Sequence, residues 1–253
     1  MSKAKFFESC EISFGEIFKN NIYVIPKYQR AFSWEEKHIE ELISDLKEAF
    51  LYEDENYYFL GTIYESAIEV NSETDKWCDE AIYNEIKNNK EKLYYLIDGQ
   101  QRITSLLLLL SLLEKKYFYV DEEQKTQRLY IHEKDNSFFK SFFDQNAYSN
   151  IIDGESISQQ RLKKAFMAMK KKQEELSEQK TFKEFLFEKI IFNKVTLTKR
   201  KFAVKLFETQ NDRGKKLTYL EKLKSLFMLY DDRYNNNRLL NTIYARFGKL
   251  YDV

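Results

Sequence analysis

The segment Leu93–Leu113, LYYLIDGQQRITSLLLLLSLL, constrains the fold more than any other part of the chain. Leu93–Ile97 is a continuous apolar run of strand length, and Asp98 and Gly99 follow it directly. From Ile103 onward leucine occupies nearly every helical face, which predicts a helix buried on all sides. This apolar run is far shorter than the ~20 residues that cross a bilayer. The segment therefore predicts a buried strand, a tight turn and a buried helix that form one unit of the core.

Other stretches of the chain also have strand character. They are rich in β-branched and aromatic residues, and the second contains a glycine that suggests a bulge or the close approach of another backbone. These predicted strands are Ile22–Ile25, Tyr57–Tyr64 and about Lys194–Thr198. Residues 65–92 are more polar and predict a surface excursion that Trp77 anchors.

Helical spacing dominates the rest of the chain. An amphipathic helix is predicted from Glu35, with Ser33 as its N-cap. After Asp121 the segments DNSFFKSFFDQ, Ser158–Ser177 and TFKEFLFEKIIF have helical spacing, and six glycines and one proline leave few breakers. We therefore predict an α+β fold, with a mixed α/β core over residues 1–120 and a mainly helical lobe over residues 121–253 packed on it.

The composition limits the classes of partner and compartment. Lys plus Arg and Asp plus Glu both number 41, so the chain has no global positive field and any contact with nucleic acid must be local. Cys10 and Cys78 lack metal-ligand spacing, and the N-terminal sequence lacks the pattern of a secretory signal. The sequence therefore predicts a reduced, cytoplasmic protein with no membrane association.

The sequence DGQQR lies where a strand ends and a helix begins, which is a favourable place for an anion. The first N–H groups of a helix have no intrahelical partner, and Gly99 lets the backbone approach a ligand closely. Arg102 can donate to phosphate oxygens, while Gln100 and Gln101 can donate or accept. Asp98 would be repelled by a phosphate unless a cation such as Mg²⁺ lies between them or the carboxylate acts as a base. The alternative is structural: Asp98 caps the helix and Arg102 forms a salt bridge with it.

A second polar loop, IPKYQRAFSW (Ile25–Trp34), follows the first predicted strand, and we call it the YQR loop. Gln29 and Arg30 repeat the Gln-Arg pair of DGQQR, and the two loops are expected to face one another across the sheet. Tyr28 and Trp34 can offer a stacking surface for a base, although core packing is the favoured interpretation of such aromatic residues.

A third polar segment, FETQNDRGKKLTYLEKLKSLF (Phe207–Phe227), lies further along the chain, and we call it the NDRG block. Asn211 and Arg213 precede Thr218, which is a predicted N-cap, and Glu221 completes a capping box. Polar groups and an arginine again meet the start of a helix.

Taken together and in this order, the YQR loop, YYFLGTIY, DGQQR with its apolar helix and the NDRG block resemble the N-terminal domain family of GmrSD-type restriction endonucleases. The resemblance spans almost the whole chain. It implies a fold similar to that of ParB and sulfiredoxin, and NTP binding and Mg²⁺-dependent hydrolysis coupled to the cleavage of modified phage DNA. It also implies a nucleotide site formed by Asp98, Gly99, Gln100, Gln101 and Arg102, with Gln29 and Arg30 beside it, and less securely by Asn211 and Arg213.

Fuller members of that family carry a nuclease of the His-Asn-His kind or work with a partner that does. His38 and His132 are the only histidines here, so we expect the nuclease to be a further domain or subunit. Two alternatives remain open, a metal-dependent nuclease centred on Asp98 and a non-enzymatic DNA-binding module that uses Lys199–Lys201 and Lys215–Lys216. The charged run at Lys170 is interpreted as a solvated helix face in preference to a DNA-binding stripe, and homodimerisation is left open.

Overall fold

A computed structural model of the chain describes residues 7–27, 29–52, 57–69, 77–121, 123, 125–144, 154–177 and 180–198, with isolated positions between 223 and 247. These residues form a mixed sheet with helices packed against it. The strands are β1 (Phe7–Ser13), β2 (Asn21–Val24), β3 (Tyr58–Ala67), β4 (Lys92–Asp98), β5 (Tyr119–Asp121), β6 (Thr126–Gln127), β7 (Leu129–Tyr130) and β8 (Ile190–Leu197). The predicted α+β class is confirmed.

Six of these strands form the central sheet, in the order β1-β8-β3-β4-β2-β7, and β5 pairs with β6 separately. The pairs β1–β8 and β3–β4 are antiparallel, while β8–β3, β4–β2 and β2–β7 are parallel. Strand β4 therefore lies inside the sheet, and its C-terminal end carries Asp98.

The helices are α1 (Phe14–Ile17), α2 (Glu36–Tyr52), α3 (Glu80–Ile86), α4 (Gln100–Leu113), α5 (Glu133–Asp144), α6 (Ile157–Ser177) and α7 (Lys180–Glu184), with a 3₁₀ turn at Lys115–Phe118 and a π-helical turn at Phe185–Lys189. Helix α6 packs against both α2 and α4. Nearly every residue of α4 is buried, which confirms the prediction from its leucine content. None of the helices described is long and apolar enough to cross a bilayer.

Apolar side chains cover both faces of the sheet. Tyr23 and Leu96 belong to the larger cluster, which includes residues of α1, α2, α4, α5 and α6. Their neighbours Ile22 and Ile97 belong to a second cluster, because successive side chains of a strand point to opposite faces. Trp77 is 1% exposed in this second cluster, as expected of an anchoring side chain, while residues 70–76 of the predicted excursion lie outside the described residues. Within the predicted excursion of residues 65–92, β3 continues to Ala67 and α3 spans Glu80–Ile86.

Two local predictions are wrong. Helix α2 begins at Glu36 and its first backbone hydrogen bonds end on the Glu35 carbonyl, so Glu35 and not Ser33 holds the N-cap position. The segment TFKEFLFEKIIF is helical only as far as Lys189, because its last three residues already belong to β8. The strand predicted near Lys194–Thr198 is present, but it begins four residues earlier and ends at Leu197.

The proposed division at residue 120 stays a prediction. Strands β7 and β8 follow that position and pair with β2 and β3 of the same sheet. The part of the chain after residue 120 therefore contributes to the sheet as well as to the helical layer.

Candidate functional site

The DGQQR segment forms a sharp turn between β4 and α4. Gly99 has φ +91°, which favours glycine, and it occupies the N-cap position of α4. A Cβ atom at this position would lie 2.6 Å from Cγ2 of Ile63. No side chain caps α4, and its first regular hydrogen bond runs from the Ile103 N–H to the Gly99 carbonyl at 3.0 Å. The preceding N–H groups of the first turn therefore remain available to an anion.

Asp98 is half-buried at the end of β4, where it pairs in register with Tyr64 of β3. Within the part of the chain that the structure describes, no side chain forms a hydrogen bond or ion pair with its carboxylate. The structural alternative is therefore wrong in both parts, because Gly99 holds the cap position and Arg102 donates to other groups. A partly exposed carboxylate at a helix start can serve as the protein ligand of Mg²⁺, which keeps several waters and combines one or two carboxylates with substrate phosphates.

Arg102 is held by the backbone of β3. Its Nη1 donates to the carbonyl of Leu60 and its Nη2 to the carbonyl of Thr62, both at 2.7 Å. Burial lowers the pKa of Arg102, and the nearby Asp98 carboxylate opposes this shift. Two of the five guanidinium N–H donors are used in this way, so three remain for a ligand.

Gly61 explains how a guanidinium fits against β3. It has φ +101°, and a Cβ atom there would lie 2.2 Å from Nη1 of Arg102. The register of β3 against β8 shifts between Phe59 and Thr62, which is the bulge expected from this glycine. The close approach is made by the Arg102 side chain and not by another backbone. Gly61 was noted in the sequence, but nothing there linked it to Arg102.

Gln101 joins the DGQQR turn to the YQR loop. Its Oε1 accepts hydrogen bonds from the backbone N–H groups of Ser33 at 2.8 Å and Trp34 at 3.3 Å. Its Nε2 donates to the carbonyl of Ala31 at 3.3 Å. The two loops therefore meet through one glutamine side chain.

Gln29 makes the reciprocal connection from the YQR loop to β4. It is 1% exposed, and its Nε2 lies 2.6 Å from the carbonyl oxygens of both Leu96 and Ile97, just before Asp98. Its Oε1 is buried without a hydrogen-bond partner among the residues described. The loop is thus tied to the strand that carries the candidate carboxylate.

The structure also describes three further predicted site residues, Arg30, Gln100 and Trp34. Arg30 is half-buried in the YQR loop, and Gln100 is 7% exposed at the first position of α4. The ring of the half-buried Trp34 lies parallel to that of His38, with centroids 6.2 Å apart. His38 Nδ1 also accepts the Glu35 N–H at 3.0 Å, so it supports the start of α2 next to the loop. This role of His38 was not predicted from the sequence, although its position three residues after Glu35 matches a capping interaction.

Several predicted residues lie outside the described part of the chain. They are Tyr28, Asn211, Arg213, Thr218, Glu221, Lys199–Lys201 and Lys215–Lys216. Among the residues described, no group of three His, Cys, Asp or Glu side chains is arranged to hold a metal. The structure therefore brings together Gln29, Asp98, Gly99, Gln101 and Arg102, with Arg30 and Trp34 on the adjoining loop.

One family model matches most of the chain. No curated protein sequence matches the chain significantly. The family model described as the GmrSD restriction endonuclease N-terminal domain matches residues 14–228, which include the YQR loop, β4, the DGQQR turn and α4. Because this match covers most of the sequence, the chain belongs to the family of GmrSD restriction endonuclease N-terminal domains.

Proposed function

We propose that this protein binds a nucleoside triphosphate at the start of α4 and hydrolyses it with Mg²⁺, as the sensor or regulatory part of a modification-dependent restriction system. Membership of the GmrSD family links the chain to restriction systems. The observation that carries the proposal is the uncapped start of α4 beside the Asp98 carboxylate, which forms no hydrogen bond or ion pair with a side chain that the structure describes.

The local charges suit a polyphosphate. The first turn of α4 supplies backbone N–H donors and the positive end of the helix dipole, and Gly99 leaves no side chain between the backbone and a ligand. Arg102 retains three donors, and Arg30 adds a second guanidinium on the facing loop. Trp34 is the candidate surface on which the base stacks.

Asp98 is the residue that would hold Mg²⁺ or position the attacking water. When bound, Mg²⁺ would neutralise charge on the phosphate oxygens. Gln101 and Gln29 act differently, because their hydrogen bonds go to the backbone of the loop and of β4. They are positioning residues that keep the two loops together around the ligand.

Cleavage of DNA is assigned to another part of the system. We propose that a nuclease domain or subunit of the His-Asn-His kind cuts modified phage DNA, and that nucleotide turnover in this chain controls it. The contact of this chain with DNA would be transient.

Thermal unfolding tests the binding step. A ligand that binds only the folded state increases the free energy of unfolding, by about 2.7 kcal/mol at a concentration 100 times its dissociation constant. The melting temperature therefore rises. Millimolar NTP with Mg²⁺ should therefore raise the melting temperature for at least one of the four nucleotides, whereas the matching nucleoside, which lacks phosphates, should not. Equal melting temperatures with and without every nucleotide would contradict the proposal.

A further inference from the structure

A concentration of basic residues on α6 stands out in a chain with no net charge. Residues 157–173 include six Lys and Arg and no Asp or Glu, although the whole chain has 41 of each sign. The local field along α6 is therefore positive even though the protein as a whole is neutral.

Part of this helix lines a groove. The groove has a volume of about 460 Å³, and Lys163, Lys164 and Lys171 line it together with Met167 and Glu36. Lys164 and Lys171 are exposed, and neither ammonium forms an ion pair or hydrogen bond with a residue that the structure describes. Met167 is 39% exposed and adds an apolar surface between the lysines. Among the described residues that line the groove there are thus three lysines and one acidic side chain, Glu36, and the ammonium groups of Lys164 and Lys171 are available to a ligand.

The spacing of the lysines favours an extended polyanion. Lys164 and Lys171 are seven residues apart on one helix, which corresponds to about 10 Å. Phosphates of one DNA strand advance about 3.4 Å along the duplex axis per nucleotide, so the two lysines match phosphates about three nucleotides apart. The compact triphosphate of a single nucleotide fits this spacing less well.

The groove also adjoins the candidate nucleotide site. Glu36 opens α2 and lies two residues after Trp34, whose N–H is held by Gln101. Arg161 of α6 approaches Glu35 at 4.0 Å, which joins the same two helices at this end. A DNA strand bound along α6 would therefore reach the YQR loop, which is hydrogen-bonded to Gln101 at the start of α4.

We infer that the groove between α6 and the start of α2 binds the phosphate backbone of DNA. Lys163, Lys164 and Lys171 contact the phosphates, and Met167 packs against the sugars. This binding depends on phosphate charge and not on base sequence. Of the three lysines, only Lys171 belongs to the charged run at Lys170. A solvated helix face in the free protein can also contact phosphates when DNA is bound.

The test uses a fluorescent 20-base-pair duplex of unmodified DNA, without nucleotide, at 50–200 mM salt. The triple variant Lys163→Gln/Lys164→Gln/Lys171→Gln should bind at least about tenfold more weakly at 50 mM salt. Its slope of log affinity against log salt should be shallower by about 2–3, because each phosphate contact contributes about 0.9. The charge-matched control is Lys87→Gln/Lys90→Gln/Lys92→Gln, at the end of β4 opposite Asp98, and it should bind like the parent.

Equal losses in the two triple variants would overturn the inference, since they would reflect net charge alone. An unchanged affinity in the α6 variant, or a parent that does not bind the duplex at 50 mM salt, would also overturn it. Polyglutamate of equal charge should compete poorly, and competition as strong as that of unlabelled DNA would assign the groove to an acidic protein instead.

Phosphate release from NTP by the α6 variant is measured in parallel and should match the parent. A parent without NTP hydrolysis but with DNA binding that needs these lysines would remove the proposed function and leave this inference standing.

Discussion

At the scale of single residues, the two adjacent glutamines of DGQQR have different roles despite equal burial. Gln100 and Gln101 are each 7% exposed. Gln101 connects α4 to Ser33 and Trp34 of the YQR loop, whereas the Gln100 side chain makes no hydrogen bond with any residue that the structure describes. This contrast provides a matched pair of variants.

We predict that Gln101→Ala destabilises the protein more than Gln100→Ala. Removing Gln101 leaves the buried N–H of Ser33 without its acceptor, and an unsatisfied buried donor costs about 1–3 kcal/mol. Urea unfolding monitored by circular dichroism measures the two free energies. Equal losses of stability would show that the contact with the loop contributes nothing beyond side-chain burial.

Among the site residues, the sequence was sufficient to locate the turn but not the destination of Arg102. An Arg beside a helix start is typical of a phosphate ligand, and no sequence pattern indicates that Nη1 and Nη2 of Arg102 also donate to Leu60 and Thr62. Gly61 was the available signal. A glycine within a strand indicates that something approaches closely, but it does not identify the group that does so.

At the scale of elements, the guanidinium of Arg102 links α4 to the bulge of β3. Its two hydrogen bonds end on both sides of Gly61, and the Gly61 position has no space for a Cβ atom. The bulge and the arginine are therefore expected to depend on each other energetically.

A double-mutant cycle tests this coupling. Gly61→Ala should destabilise the protein by more than about 2 kcal/mol, because it combines strain at φ +101° with a steric clash, the added Cβ lying only 2.2 Å from Nη1 of Arg102. Arg102→Ala should cost about 1.5–3 kcal/mol for each charge-assisted hydrogen bond lost. The double variant should lose at least 1 kcal/mol less than the sum of the two, since the clash disappears with the arginine. Strict additivity of the unfolding free energies would contradict the coupling.

The elements that the sequence revealed are those with a strong pattern. Most residues of strand β4 and helix α4 are buried, so their apolar runs predicted both correctly. Strand β1 was not predicted, because it lies at the edge of the sheet and five of its seven residues are exposed, which removes the apolar alternation. The start of β8 was misassigned because Phe185 and Leu186 belong to a π-helical turn that runs directly into the strand.

At the scale of the whole molecule, buried tyrosines should limit stability at alkaline pH. Burial, followed by the charge of Glu65, raises the pKa of Tyr23 well above its usual range. Burial and the hydrogen bond to Glu85 also raise the pKa of Tyr130 far above that range. An unfolded tyrosine ionises near pH 10. The stabilisation from keeping both hydroxyls neutral is therefore complete below pH 10 and is lost as the pH rises above it.

We predict that the free energy of unfolding of the parent falls more steeply above pH 10 than that of Tyr130→Phe. The difference in slope should approach about 1.4 kcal/mol per pH unit, the value for one proton released on unfolding. Urea titrations between pH 8 and pH 11.5 give both slopes. If the parent and Tyr130→Phe have the same slope, Tyr130 does not contribute to alkaline unfolding.

Mg²⁺-dependent phosphate release by the parent and by Asp98→Asn shows whether the DGQQR turn is a site of nucleotide hydrolysis. The parent should release phosphate from at least one NTP. Asp98→Asn should hydrolyse that nucleotide about 100-fold more slowly or worse, because it lacks the carboxylate that would hold the metal or act as the base. Its nucleotide affinity should stay within a few-fold of the parent, since the substitution also removes repulsion of the phosphates. If a folded Asp98→Asn variant hydrolyses NTP at the parent's rate, or if the parent hydrolyses none of the four nucleotides, the DGQQR turn is not a site of nucleotide hydrolysis.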